Sequence, residues 1–78
     1  MRQSDEVERR LGQDLRKARE EAGLNQDQLA DLASISNRPI YMFETGKGSI
    51  RLETYLKLLE VLGLEIRVVP RPPRAGPP

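Results

Sequence analysis

From Val7 the apolar residues return in steps of three and four, as Val7, Leu11, Leu15, Ala18 and Ala22. That spacing predicts one buried face of a first helix. Gly23 followed by Leu24 reads as its stop, with glycine in the left-handed position and leucine folding back. Asn25 then caps a second helix, and Gln28 completes the capping-box spacing. Leu29, Ala30 and Ala33 are its short buried face, and it ends near Ser34. Ser36 is the expected cap of a third helix that runs to Glu44 or Thr45 and buries Ile40 and Phe43. Gly46 ends it, and Lys47, Gly48 and Ser49 form a loop. A fourth helix, about 52 to 62, places Leu52, Tyr55, Leu56, Leu59 and Leu62 on one face.

After Gly63 the period changes from 3.6 to 2. Leu64, Ile66 and Val68 alternate with Glu65 and Arg67, which predicts a short half-buried strand ended by Pro70. A strand with no partner in its own chain leaves backbone groups unpaired, so its simplest partner is the same strand of a second copy, antiparallel across a two-fold axis. Five prolines and two arginines, Arg71 and Arg74, make up most of residues 70–78, a composition expected of a disordered or polyproline-like tail. The tail has no residue-level role in this reading. The expected organisation is a flexible N-terminus over 1–6, a helical and dimerisation domain over 7–69, and the tail over 70–78.

Size and composition narrow the function. Seventy-eight residues make one domain, and a chain of this size buries only about 60% of the surface it exposes when unfolded. Such chains use a disulfide, a metal or a second subunit for stability. Cysteine and histidine are both absent, which leaves association as the expected solution. The same absences remove the commonest nucleophile, general base and zinc ligands. A protein without catalysis, cofactor or metal is therefore expected. No apolar run reaches the roughly 20 residues of a membrane span, and residues 1–7 lack a signal-peptide core. A cytoplasmic protein follows from that reading.

Charge argues weakly. The net charge is +1, low for a nucleic-acid binder. The case for DNA rests on the two short helices joined at Ser34, Ile35 and Ser36, the dimension of a helix-turn-helix.

The ordered set Leu24-Asn25-Gln26, Leu29-Ala30, Ile35-Ser36, Ile40 and Glu44-Thr45-Gly46-Lys47 resembles the lambda-repressor-like, Xre-type helix-turn-helix signature. The continuation through Ser49-Ile50, Leu52, Thr54, Leu62-Gly63-Leu64, Ile66 and Val68 resembles the HipB-type antitoxin branch of that family. The resemblance implies an all-α bundle of four to five short helices plus one C-terminal β-strand paired across a dimer. It also implies a homodimer on a palindromic operator, autorepression of a toxin–antitoxin operon, and binding of a HipA-like kinase toxin. A stand-alone repressor or restriction-modification controller, and a protein-interaction module that no longer binds DNA, are the competing readings.

In this motif the third helix lies in the major groove with its N-terminal residues against base edges. Asn37, Arg38, Tyr41 and Met42 occupy the expected positions; Arg38 suits guanine and Asn37 adenine. Tyr41 reads equally as a phosphate contact or as packing. Family members use the residue at Gln26 to contact phosphate and to brace the recognition helix. Ser36 and Lys47 are expected phosphate contacts, Lys47 reading equally as solvated loop charge. The resemblance makes Arg19 and Glu44 a partly buried ion pair tying the first helix to the third. Pro39 biases Arg38 away from helical geometry, so the recognition helix is expected to start irregularly.

Overall fold

The first helix starts earlier than the apolar spacing indicates. In the computed structural model, which describes residues 3–70, α1 spans Gln3–Glu21. Asp5 and Glu6 lie in its first turn, where carboxylates suit the positive end of the helix dipole. Glu6 also pairs with Arg9 one turn on, at 3.6 Å. The helix closes at Gly23, whose φ of 74° is one that side-chain-bearing residues rarely adopt. The Leu24 N–H then reaches back to the Arg19 carbonyl at 3.1 Å.

α2, Gln26–Ala33, is specified by its own first turn. The Asn25 side chain accepts from the Gln28 N–H, and the Gln28 side chain accepts from the Asn25 N–H, both at 2.8 Å. α3, Arg38–Glu44, starts differently. Its N-cap is Asn37, not Ser36, and no side chain caps it. Pro39 sits in the first turn, where its missing N–H breaks no helical bond, so Arg38 is already helical. Ser36 stays in the exposed connection. α4 spans Leu52–Val61 and closes at Gly63 (φ 71°), with the Leu64 N–H donating to the Leu59 carbonyl at 2.8 Å.

α1 packs on α3, and α2 packs on both α3 and α4. The core between them is Leu15, Leu29, Ala30, Ala33, Ile40, Phe43, Tyr55, Leu58 and Leu59. Phe43 and Tyr55 meet edge to face, with ring centroids 5.6 Å apart. α1 approaches α3 most closely at Gly12: a Cβ there would lie 2.1 Å from the Phe43 carbonyl oxygen. Only glycine fits beneath that backbone.

The buried faces are rotated from those the spacing predicts. On α1, Val7 is exposed, as is Ala22 just past its end, while Gly12 and Arg19 join Leu15 in the interior. On α4, Leu52 and Leu56 face solvent, at 64% and 44% exposure, and Leu58 is fully buried. Tertiary packing selects which stripe a helix buries, and leucine-rich spacing is compatible with more than one stripe.

No strand forms among the described residues. Leu64, Ile66 and Val68 are exposed, Val68 almost entirely, at 98%. A strand is defined by hydrogen bonds to a neighbour, and no other strand lies among the described residues to offer one. Except for Pro70, the proline-rich tail with Arg71 and Arg74 lies outside the described residues, as do Met1 and Arg2 of the N-terminus.

Candidate nucleic-acid interface

α3 is short, and its position depends on what grips its buried side. Ile40 and Phe43 face the core, and Glu44 beside them is 5% exposed. A buried carboxylate is tolerable only if it is paired and hydrogen-bonded. Arg19 of α1 supplies the pairing: Nε donates to Glu44 Oε2 at 2.9 Å and Nη2 to Oε1 at 2.8 Å. Its Nη1 donates to the Leu24 carbonyl at 2.8 Å. The hydrogen bond to Glu44 holds the Arg19 pKa above its usual value, against the opposing effect of burial. Gln26 completes the cluster, its Nε2 donating to Glu44 Oε1 at 3.1 Å. One carboxylate thus joins α1, the first turn of α2 and the last turn of α3. Among the described residues, no buried side-chain polar atom lacks a partner.

The other side of α3 is open. Arg38 and Tyr41 are exposed, and Met42 is half-buried. Lys47, in the following loop, lies 5.4 Å from the centre of the Tyr41 ring, and its ammonium donates to the Tyr41 hydroxyl at 3.3 Å. The Lys47 N–H anchors the loop to the Met42 carbonyl at 2.9 Å. Beyond it, Arg38, Met42, Ser49, Ile50, Arg51 and Thr54 border a groove of about 430 Å³. Gln26 is half-buried and borders a separate hollow with Asn25, Asp27 and Asn37, and Ser36 is exposed between α2 and α3. One of the two amide hydrogens of Asn37 is engaged by α2, because its Nδ2 donates to the Asp27 carboxylate.

The charges sort by partner. Arg9, Arg16, Arg19, Lys57 and Arg67 each pair with a carboxylate. Among the described residues, Arg10, Lys17, Arg38, Lys47 and Arg51 have no such partner, and the last three cluster on α3 and the loop after it. The one acidic residue between positions 38 and 51 is Glu44, which Arg19 already neutralises. α3 and its loop therefore gather three cations without an ion-pair partner, a cluster that a net charge of +1 conceals. Arg51 is the member that sequence reasoning missed. Its position just before α4, on the side Arg38 occupies, emerges only once the loop between them is folded.

Among the described residues no helix is long and apolar enough to cross a membrane, and no group of acidic residues is placed to hold a metal ion.

A family model for helix-turn-helix proteins (HTH_3) matches residues 15–69. A protein of Methanothermobacter thermautotrophicus, provisionally named an HTH-type transcriptional regulatory protein, is 42% identical over 55 residues. The match takes in 70% of this chain but only 18% of that protein's length. Among solved structures, a toxin–antitoxin module from Streptococcus pneumoniae superposes with a TM-score of 0.71 at 31% identity, covering 90% of this chain and 81% of that one.

Proposed function

The chain belongs to the helix-turn-helix family, and from that premise we propose that it is a sequence-specific DNA-binding transcriptional repressor. The observation that carries the reading is the charge of α3 and its loop: Arg38, Lys47 and Arg51 stand without carboxylate partners on one exposed face. Phosphates are the ligands such a surface suits, and base edges lie within reach of a helix laid in the major groove. Arg38 reads guanine, with Tyr41 and Met42 alongside. Ser36, Lys47 and Arg51 hold phosphates and set the register. Gln26 has a double role, bracing α3 through Glu44 and offering its remaining amide hydrogen to the backbone.

The protein acts as a homodimer on a palindromic operator. Leu52, Leu56, Leu64 and Ile66 leave apolar surface exposed, and residues 64–68 pair as antiparallel strands once a second copy supplies the missing edge. The two α3 helices then enter major grooves one turn apart, about 34 Å. The likeness to a toxin–antitoxin module supports the further reading of an antitoxin that represses its own operon and neutralises a toxin, a HipA-like kinase in the HipB-type scheme. The name of the methanogen relative favours a stand-alone regulator instead.

Two measurements test these levels separately. Affinity for a selected duplex should fall steeply with salt, because several phosphate contacts release counterions together; a flat response removes DNA from the account. Purification from the native cell should bring down a stoichiometric kinase-like protein. Recovery of the protein with its own promoter alone selects the stand-alone regulator.

A further inference from the structure

Asp27 is the second residue of α2, and its carboxylate accepts a hydrogen bond from the Asn37 amide at the N-cap of α3. Both residues are exposed. The bond spans ten positions and crosses from one helix start to the other, so it does not serve as a local cap of α3. It has two consequences for anything approaching this corner. The Asn37 amide is tied to α2 with one of its two hydrogens engaged, and a negative charge lies beside the end of α3 that carries Arg38.

Among the described residues no cation forms an ion pair with it. Arg19 borders the same hollow, with Asn25, Gln26, Asp27 and Asn37, but its guanidinium is committed to Glu44 and to the Leu24 carbonyl. Asp27 has no ion-pair partner among the described residues. Its carboxylate can only accept, so it repels a phosphate and tolerates a base that presents an exocyclic amino group in the major groove. Acceptor chemistry at the start of α2 opposes the donor chemistry of Arg38, Lys47 and Arg51 on α3 and the loop after it.

We propose that Asp27 is a specificity-determining residue of the DNA-binding surface, one that occupies Asn37 and repels backbone phosphates so that DNA without the cognate contacts is released. This inference rests on the DNA-binding reading above. Loose binding through phosphates alone would otherwise be favoured by the cations of α3.

The test uses the full chain and two duplexes of equal length, one selected by the wild-type protein from random sequence and one random. Asp27→Asn removes the charge yet keeps an oxygen that can accept from Asn37; Asp27→Glu keeps the charge. The expected result is that Asp27→Asn tightens binding to the random duplex about fivefold, the effect of one unit charge roughly 4 Å from a phosphate in water. Binding to the selected duplex should change less, so that the affinity ratio falls, while Asp27→Glu stays near the wild-type ratio. Equal changes on both duplexes, or none on either, overturn the proposal. If the wild type still binds with a steep salt dependence in that case, the DNA-binding reading stands; a wild type with no salt-dependent binding overturns both.

Discussion

α2 and α3 are neighbours of nearly equal length, yet they are held by different means. α2 carries its own start signal, with Asn25 and Gln28 satisfying each other's backbone N–H groups. α3 has no side-chain cap, a proline in its first turn, and seven residues in all. A helix that short is not stable alone in water. Its position is set by other elements: Arg19 and Gln26 on Glu44, the α1 backbone beneath Phe43, and Tyr55 against the Phe43 ring. The helix assigned to read DNA is thus the one least specified by its own residues. Contacts from three elements can hold its angle more firmly than local propensity would.

If that contrast is right, the most damaging single change lies under α3 and leaves the exposed face untouched. Gly12→Ala should be severe, because the added methyl would sit 2.1 Å from a backbone carbonyl that no rotamer can move. α1 and α3 must separate, and we expect a loss of several degrees or more in melting temperature together with operator binding. A variant that melts like the wild type would show that the two helices are not held at that distance.

Glu44→Ala comes next. It leaves the Arg19 guanidinium, only 7% exposed, without its carboxylate, at a cost of about 3–5 kcal/mol. Denaturant titration should report that loss, and DNA affinity should fall with the folded fraction. Asn25→Ala removes a local cap and should cost about 1 kcal/mol. Because α2 is also anchored by Leu29 and Ala30 in the core, the variant should fold and bind operator with near-normal sequence preference. Equal damage from Glu44→Ala and Asn25→Ala would erase the distinction between the two helices.

The same distinction explains what was legible in the sequence. Local signals were clear: the Gly23 stop, the Asn25–Gln28 box and the Gly63 stop all depend on residues within one turn of each other. Long-range choices were not. Leu58, buried, and Leu52, exposed, are both leucines on α4, and only the position of α2 decides between them. Gly12 has no signature in a helix until α3 lies across it. Ser36 and Asn37 are both good caps by type, and Pro39 moves the start by one residue. At the candidate site, Arg38 and Tyr41 lie on the exposed side of α3, and Arg19 meets Glu44 in the arrangement that the family resemblance implies. The Asp27 carboxylate that holds Asn37, ten positions away, and the place of Arg51 beside Arg38 both depend on tertiary geometry.

The smallest effect separates the two helices by pH. Tyr55 packs on Phe43 of α3, and its hydroxyl is held above the usual tyrosine value, first by burial and then by the charge of Asp14. A raised pKa means that folding favours the protonated phenol. The associated stability is fully present below the unfolded value, about pH 10, and is lost as the pH climbs from there toward the folded value. A wild-type curve sums every group whose charge changes over this range, so it alone does not isolate the tyrosine. Tyr55→Phe does: it should be less sensitive than the wild type to a rise from pH 9 to 11 in denaturant titrations. Asn25→Ala should keep the wild-type slope, because the start of α2 depends on amide groups that do not titrate. If Tyr55→Phe also kept that slope, the phenol would be as free in the folded protein as in the unfolded chain, and one of the contacts holding α3 would be looser than its burial indicates.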